Sequence, residues 1–559
     1  MFGPLSVRFK LCKQYAEKRM RNQIRVARER QGASAMKVRT STTRIFLTLG
    51  IFVFLMAAMA GSGISGQVKI GCAQTAWYFA EGYTGGDFDT WILVQNPNSL
   101  ETSVHLKFMK PEGEPVTMDL AMAGDTRKTV YLNSVPGLEN TEVATTVTCD
   151  SGGIVVERAM YFDYKLDGID RAGGHAAIGA PNLSCYWFLP EGCTRGSFNT
   201  YVLLLNPNPE PASVELKLML PEGGNYYMFH LDMPAECRRS VRLNDLVWTE
   251  GTSNVIAAGV QTATTENPPA QPKQVSFDET DVSVWVLSNK PIVAEHSLYY
   301  DYYGKRGGSS SMGLPAKSST WYMPEGYTGS DFDTYVLVQN PNGTQANVTF
   351  SFYTNPSGVT AATEPVQPPV PAGLTQVNAT IGPWGRFTLR LNDVPDLTSR
   401  EVATRIDSDI PVVAERSMYF NYGGNDDGDL GGGSPRIYST WHLAEGYTGG
   451  AFDTYVLFMN PYGNWQKVTA TFMTPDGEPV VKEYLLAPYC RATIHVDEIA
   501  GLENTDVSTS LVAVPAPAPD PAAANEIPPA GDAGIVAERA MYFKYDGKAG
   551  GSCSIGLGE

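Results

Sequence analysis

Trp77-Tyr78-Phe79-Ala80-Glu81-Gly82-Tyr83-Thr84 is a stretch the chain writes four times, with its leading tryptophan returning at Trp187, Trp321 and Trp441. Each copy continues through a Phe-Asp/Asn-Thr run ending in Asn-Pro, as in Phe88 to Pro97 and Phe452 to Pro461. Each closes on a second signature: Val156-Glu157-Arg158-Ala159-Met160-Tyr161-Phe162, then Ala294 to Tyr300, Ala414 to Phe420 and Ala537 to Phe543. The tryptophans stand 110, 134 and 120 residues apart, which is too long for a solenoid unit and is the size of one independent domain. The spacing predicts four similar domains, at 67–181, 182–315, 316–436 and 437–559, joined like beads on a string.

Short β-rich runs bounded by Asn-Pro, Asp-Gly and Gly-Gly are all-β grammar. Copy four reads most clearly. Strands are expected at Trp441–Leu443, Thr454–Met459, Val468–Phe472, Val480–Leu486, Ala492–Val496, Val507–Val512 and Ile535–Tyr542. About seven strands in about 110 residues is the arithmetic of a β-sandwich, so the expected fold is four tandem immunoglobulin-like or fibronectin-like sandwiches. Proline-rich insertions at 267–272, 356–371 and 515–529 fall inside copies, where solvated loops tolerate them. The linkers between copies are short, which predicts a semi-rigid rod.

Ahead of the repeats, residues 1–44 hold twelve Lys/Arg against two acidic residues. An apolar run follows from Ile45 to Ala60, then small residues; segment 45–66 reads as a secretory signal or as a membrane anchor oriented by its basic flank. Met36 would give an ordinary signal if translation began there, making 1–35 a start-site artefact. Both readings put the repeats outside the cytoplasm. The overall charge of −17 argues against nucleic acid and against binding anionic membrane surfaces, so the N-terminal segment is the expected membrane contact. Seven cysteines lie beyond the apolar run, mostly at non-equivalent places. Cys149, Cys185, Cys193 and Cys237 cluster around copies one and two, where local disulfides are expected.

The closing strand poses a charge problem. Side chains alternate along a strand, so Glu538 shares one face with Val536, Ala540 and Tyr542, and Arg539 shares the other with Ala537, Met541 and Phe543. Both faces are apolar, and a buried charge needs a partner. The recurring acids are the Glu of Glu-Gly (Glu81, Glu191, Glu325, Glu445) and the Asp of Phe-Asp-Thr (Asp89, Asp333, Asp453). In copy two, Asn199 replaces that Asp and His296 replaces the Arg. That joint change names three structural ion pairs: Asp89–Arg158, Asp333–Arg416 and Asp453–Arg539. A calcium site near the Gly-rich turn is the sharper alternative, drawn from Asp87-Phe88-Asp89 and Asp331-Phe332-Asp333. Trp77, Trp187, Trp321 and Trp441 are expected at domain joints or as platforms for ligand rings. The glycine runs 173–179, 307–313 and 550–556 are expected to let backbones approach closely.

No two of the six histidines occupy equivalent positions, and the chain has no nucleophile elbow, phosphate loop or dinucleotide fingerprint, so neither catalysis nor a cofactor is expected. The Trp-Tyr-x-x-Glu-Gly-x-Thr opening with the Ala-Glu-Arg-x-Met-Tyr-Phe closing resembles an uncharacterised family of tandem extracellular repeats in bacterial cell-surface and secreted proteins. The resemblance spans nearly all of 77–559 and implies location and architecture rather than a reaction. The expected role is surface display, adhesion or envelope scaffolding toward an extracellular protein or polysaccharide. The alternatives are a carbohydrate-binding array acting by avidity and a calcium-rigidified surface rod.

Overall fold

A computed structural model describes residues 74–257, 260–262, 272–354, 375–475, 479–517 and 531–559. The N-terminal region, the apolar segment and most of the three proline-rich insertions lie outside the described residues. Lys69–Glu559 forms one compact unit.

Repeat 1 sets the pattern. Its elements are β1 (Ala76–Phe79), β2 (Phe88–Asn96), β3 (Thr102–Met109), β4 (Val116–Met122), β5 (Thr126–Tyr131), a 3-10 turn at Leu132–Ser134, β6 (Ala144–Cys149), β7 (Val155–Leu166) and β8 (Ile169–Ile178). They pair into two four-stranded sheets, ordered β1-β6-β3-β4 and β5-β2-β7-β8. β3 shows why. Val104, Leu106 and Phe108 are buried while Ser103 and His105 between them are exposed, the period-2 pattern of a strand with one wet face. β7 is buried on both faces through Phe162, which marks it as an inner strand.

The protein is all-β, but its four repeats are not beads. In repeats 2 and 3 the counterparts of β6 and β7 are single strands, Ser283–Tyr302 and Val402–Tyr422, that run through both sheets. The two sheets then become one bent surface, closer to a half-barrel than to a clear immunoglobulin sandwich. The strand that the sequence did not predict decides the assembly. β8 and its counterparts Lys305–Met312, Asn425–Gly432 and Lys548–Ile555 pack side by side, each against the next and the fourth against the first. Four repeats therefore surround one axis like propeller blades, with β8 innermost in its sheet. The rod expected from short linkers does not form, because the chain's last strand returns to its first repeat.

Glycine makes that axis possible. A Cβ on Gly550 would lie 2.0 Å from Asp427 Oδ2 and 3.2 Å from Gly173 Cα. The glycine runs do serve close approach, at the centre of the ring. Each tryptophan is buried in its own repeat's core, with Nε1 donating to the carbonyl of Ile154, Ile292, Val412 or Ile535 at 2.8, 2.9, 2.9 and 2.8 Å. Each repeat ends by pairing back onto its own first strand, at Tyr78–Ala180, Phe188–Leu314, Tyr322–Ser434 and Trp441–Gly558. The expected disulfides are absent: Cys149, Cys185, Cys193, Cys237, Cys490 and Cys553 are all free. Five of the six are buried, and they act as small apolar side chains.

Candidate functional site

The closing signature explains the ring. Successive residues of one strand point to opposite faces, so Glu-Arg offers an acid to one neighbour and a base to the other. Arg158 Nη1 donates to Glu295 Oε2 at 2.6 Å, Arg416 Nη1 to Glu538 Oε2 at 2.8 Å, and Arg539 Nη1 to Glu157 Oε2 at 2.6 Å. At the second joint, His296 Nε2 lies 3.1 Å from Glu415 Oε1. Each base reaches the same motif in the next repeat, and the fourth reaches the first.

A second circle lies beside it. Glu81 pairs with Arg238 at 3.4 Å, Glu191 with Arg386 at 3.1 Å, Glu325 with Arg491 at 3.1 Å, and Glu445 with Arg127 at 2.9 Å. These carboxylates are buried and joined across the same four seams. The motif carboxylates also accept backbone N–H bonds. Glu295 Oε1 takes those of Ala80 and Glu81 at 2.6 and 3.1 Å, and Glu157 Oε1 takes those of Ala444 and Glu445 at 2.7 and 3.1 Å. Paired and hydrogen-bonded in this way, buried charges specify which surfaces meet.

The pairs expected from the sequence do not form. Asp89 sits across from Tyr161 in the register, and Arg158 across from Ile92. Asp89 instead meets Lys548 at 2.7 Å; Asp333 meets Arg390 Nε at 3.1 Å and Lys305 at 3.4 Å; Asp453 accepts from Tyr422 Oη at 3.2 Å. Asn199 likewise accepts from Arg242 Nε at 3.1 Å, so the joint change in copy two was no contact. Asp89 and Asp333 are thus matched by cations. Asp453, His495 and Asp497 bring ligand atoms within 4.8 Å of one another, but His495 Nδ1 already faces Glu498 at 3.2 Å.

The seam between repeats 2 and 3 differs from the others beyond His296. Tyr83, Tyr327 and Tyr447 lay their ring edges on Phe88, Phe332 and Phe452, with centroids 5.0, 5.1 and 5.0 Å apart. Repeat 2 has Cys193 at that position, and a cleft of about 630 Å³ opens between repeats 2 and 3. Its floor holds the Glu191–Arg386 pair and the buried Ser417. Its wall is a tyrosine cluster: Tyr302 stacks on Tyr419 at 4.3 Å and shares a 2.7 Å hydroxyl contact with Tyr335. Glu191 sees one guanidinium here, and burial pushes its carboxyl up to about 7. Burial also pushes the Cys193 thiol up to about 12, so it is no ready nucleophile.

The axis is the third special place. Asp427 replaces the glycine that repeats 1, 2 and 4 carry, and it is fully buried. Its carboxyl accepts from the backbone N–H of Gly174, Gly308 and Gly551 at 3.4, 3.3 and 3.2 Å and from Tyr300 Oη at 3.1 Å. Burial holds its pKa well above the usual carboxylate range, against the pull of those donors. A cavity of about 330 Å³, lined by Ala177, Ser311, Leu430, Gly431 and Ser554 among others, lies on β8 and its counterparts. Among the described residues no helix is long and apolar enough to cross a membrane.

No family model matches the chain, and no curated protein does. Among solved structures it is similar to Thermotoga maritima 1070, at 16% identity over 22% of this chain and 95% of that one, with a TM-score of 0.18. It is also similar to the Anabaena sensory rhodopsin transducer, at 22% identity over 16% of this chain and 96% of that one, with a TM-score of 0.14. A glycoside hydrolase family 32 structure from Bifidobacterium adolescentis matches at 11% identity over 86% of this chain and 96% of that one, with a TM-score of 0.13. Scores this low carry no inference about activity.

Proposed function

We propose that this is a non-enzymatic, exported bacterial surface protein that serves display, adhesion or envelope scaffolding as a closed ring. The observation that carries the reading is the use made of its ionisable groups. Eight buried carboxyl groups, the four Glu of Glu-Gly and the four of the closing signature, are held across seams, seven by arginine and Glu415 by His296. Groups locked in this way fix shape. The basic, apolar and small-residue order of the N-terminus supports export. Each blade is, in this reading, an immunoglobulin- or fibronectin-like module adapted to a ring, a label supported by the paired four-stranded sheets of repeat 1.

The array form of sugar binding loses its platforms, since the four tryptophans are buried. Calcium rigidification has no part in the reading, because Asp89 already faces Lys548 and Asp333 already faces Arg390 and Lys305. The test is to express the full chain and treat intact cells with a protease. Cleavage or antibody labelling of the repeats from outside is expected; repeats that stay shielded until lysis would sink the proposal.

A further inference from the structure

The seam between repeats 2 and 3 departs from its three sisters at several positions that face one space. Where repeats 1, 3 and 4 place a tyrosine over a glycine, repeat 2 places Cys193 and Arg195. A Cβ on Gly85, Gly329 or Gly449 would lie 2.5, 2.3 and 2.3 Å from the hydroxyl of Tyr83, Tyr327 or Tyr447, so the tyrosine plug and the glycine need each other. Repeat 2 has changed both. The plug is gone, and Arg195 reaches across the mouth to Asp281 with Nη2 at 2.8 and 2.7 Å from its two oxygens.

Tyr303 is the further departure. It sits at the tip of the hairpin before Lys305, 92% exposed, with φ of +49°. The equivalent tips use Asp167, Gly423 and Asp546, at φ of +53°, +59° and +44°. Left-handed backbone favours Gly, Asn and Asp, and a bulky ring there is strained with little burial to repay it. An exposed ring in a strained turn, beside an unplugged cleft, is a feature that the fold itself does not require. Its edge lies against Tyr302 at 4.9 Å, so the two rings present a corner to the cleft.

We propose that this cleft is a single binding site for a neutral saccharide, independent of the scaffold role above. The fixed charges around it are compensated in pairs: Glu191 by Arg386 at 3.1 Å, Asp281 by Arg195 at 2.7 Å, Asp301 by Arg306 at 2.8 Å. A site for an ion would keep charge of one sign in excess. A site with matched carboxylates and guanidinium groups offers many acceptors and donors but little net field, which suits hydroxyl groups. The exposed Tyr303 supplies the face on which the C–H surface of a sugar ring lies. Ser417, buried at the floor, supplies a further hydroxyl. The volume of about 630 Å³ falls within the range of small-molecule sites, about 300–1,000 Å³.

The full chain should be titrated calorimetrically with maltose, cellobiose, chitobiose and N-acetyllactosamine, and with glucuronic acid and glucosamine as charged controls. Saturable binding of at least one neutral probe is expected. Y303A should weaken it about tenfold or more, the order expected when an aromatic platform is lost. The double variant C193Y/R195G restores the plug of the other seams and should abolish binding while leaving the melting temperature at or above that of the parent. The control Y327F, in the neighbouring seam, should change nothing. No binding of any neutral probe, tighter binding of a charged control, or binding indifferent to both variants would overturn the proposal, and none of these results would touch the display reading.

Discussion

Arg539 and Glu157 stand 382 residues apart in sequence, and their side chains meet at 2.6 Å with 1% of each exposed. That contact joins the last repeat to the first and makes the molecule a ring. Arg539→Ala would leave Glu157 with its two N–H donors but no cation. Removing one partner of a buried pair costs about 3–5 kcal/mol, well above the median for a surface pair. A clear fall in the midpoint of denaturant unfolding is expected. A midpoint within error of the parent would show that the pair is not needed to hold the seam.

Closure also makes the repeats interdependent. Deleting residues 437–559 would strip Arg127 of Glu445, Glu157 of Arg539, Glu325 of Arg491 and Arg416 of Glu538. All four groups are buried in the intact ring, and of them Arg416 alone keeps an ion pair, with Asp429 at 3.3 Å. Independent beads would lose one unfolding transition and keep the rest. The ring should instead yield a three-repeat fragment with no cooperative thermal transition, or one far below the parent's. Calorimetry decides between them, and a fragment that melts like the parent would restore the bead picture.

Much of the fold was legible in the sequence, and the failures are instructive. The strand expected at Val480–Leu486 forms with those limits, and Thr454–Met459 lies within Phe452–Met459. Both have strong apolar or alternating patterns. The missed strand, Lys548–Ile555, is rich in glycine and serine and has no such pattern; it pairs with Val536–Tyr545 and packs against other copies of itself. The need for charge partners on the closing strand was readable too, from two apolar faces. What one repeat read alone could not supply is the cyclic operator. A Glu and an Arg on opposite faces of one strand can satisfy each other only between copies, and no pattern within a single copy carries that relation. Asp427 left a trace as well, since copy three is the one without the paired glycines.

Asp427 gives a sharper test of the axis. Asp427→Gly would restore four glycines but leave the N–H groups of Gly174, Gly308 and Gly551 without their acceptor and remove the Tyr300 bond. A buried unsatisfied donor costs about 1–3 kcal/mol, less where water enters. Asp427→Asn keeps an acceptor oxygen and should be milder. The raised carboxyl pKa sets the sign with pH: a folded proton held after the unfolded chain has lost its own means that stability falls as pH climbs above the usual carboxylate range. The Asn variant lacks that group, so its melting temperature should fall less between about pH 4 and 7. An equal slope would show that Asp427 is charged throughout.

The seam between repeats 2 and 3 should carry most of the remaining dependence near neutrality. Burial opposes the His296 cation, but Glu415 beside it and the Glu191 carbonyl and carboxylate raise its pKa overall. The stability it contributes is full below about 6.5 and is lost as pH rises through the higher folded value. Glu191 works in the same direction. Its folded pKa of about 7 exceeds the ordinary 4.5, so stability falls between those values and the loss is complete above 7. Arg386 lowers it while Asp281 and Glu415 raise it; in the other seams a second arginine stands where His296 is. His296→Arg would supply the missing permanent charge and pull Glu191 down. The parent's melting temperature should therefore drop from about pH 6 to 8.5, and the variant's should drop less. Parallel curves for the two proteins would mean that this joint does not titrate in that window.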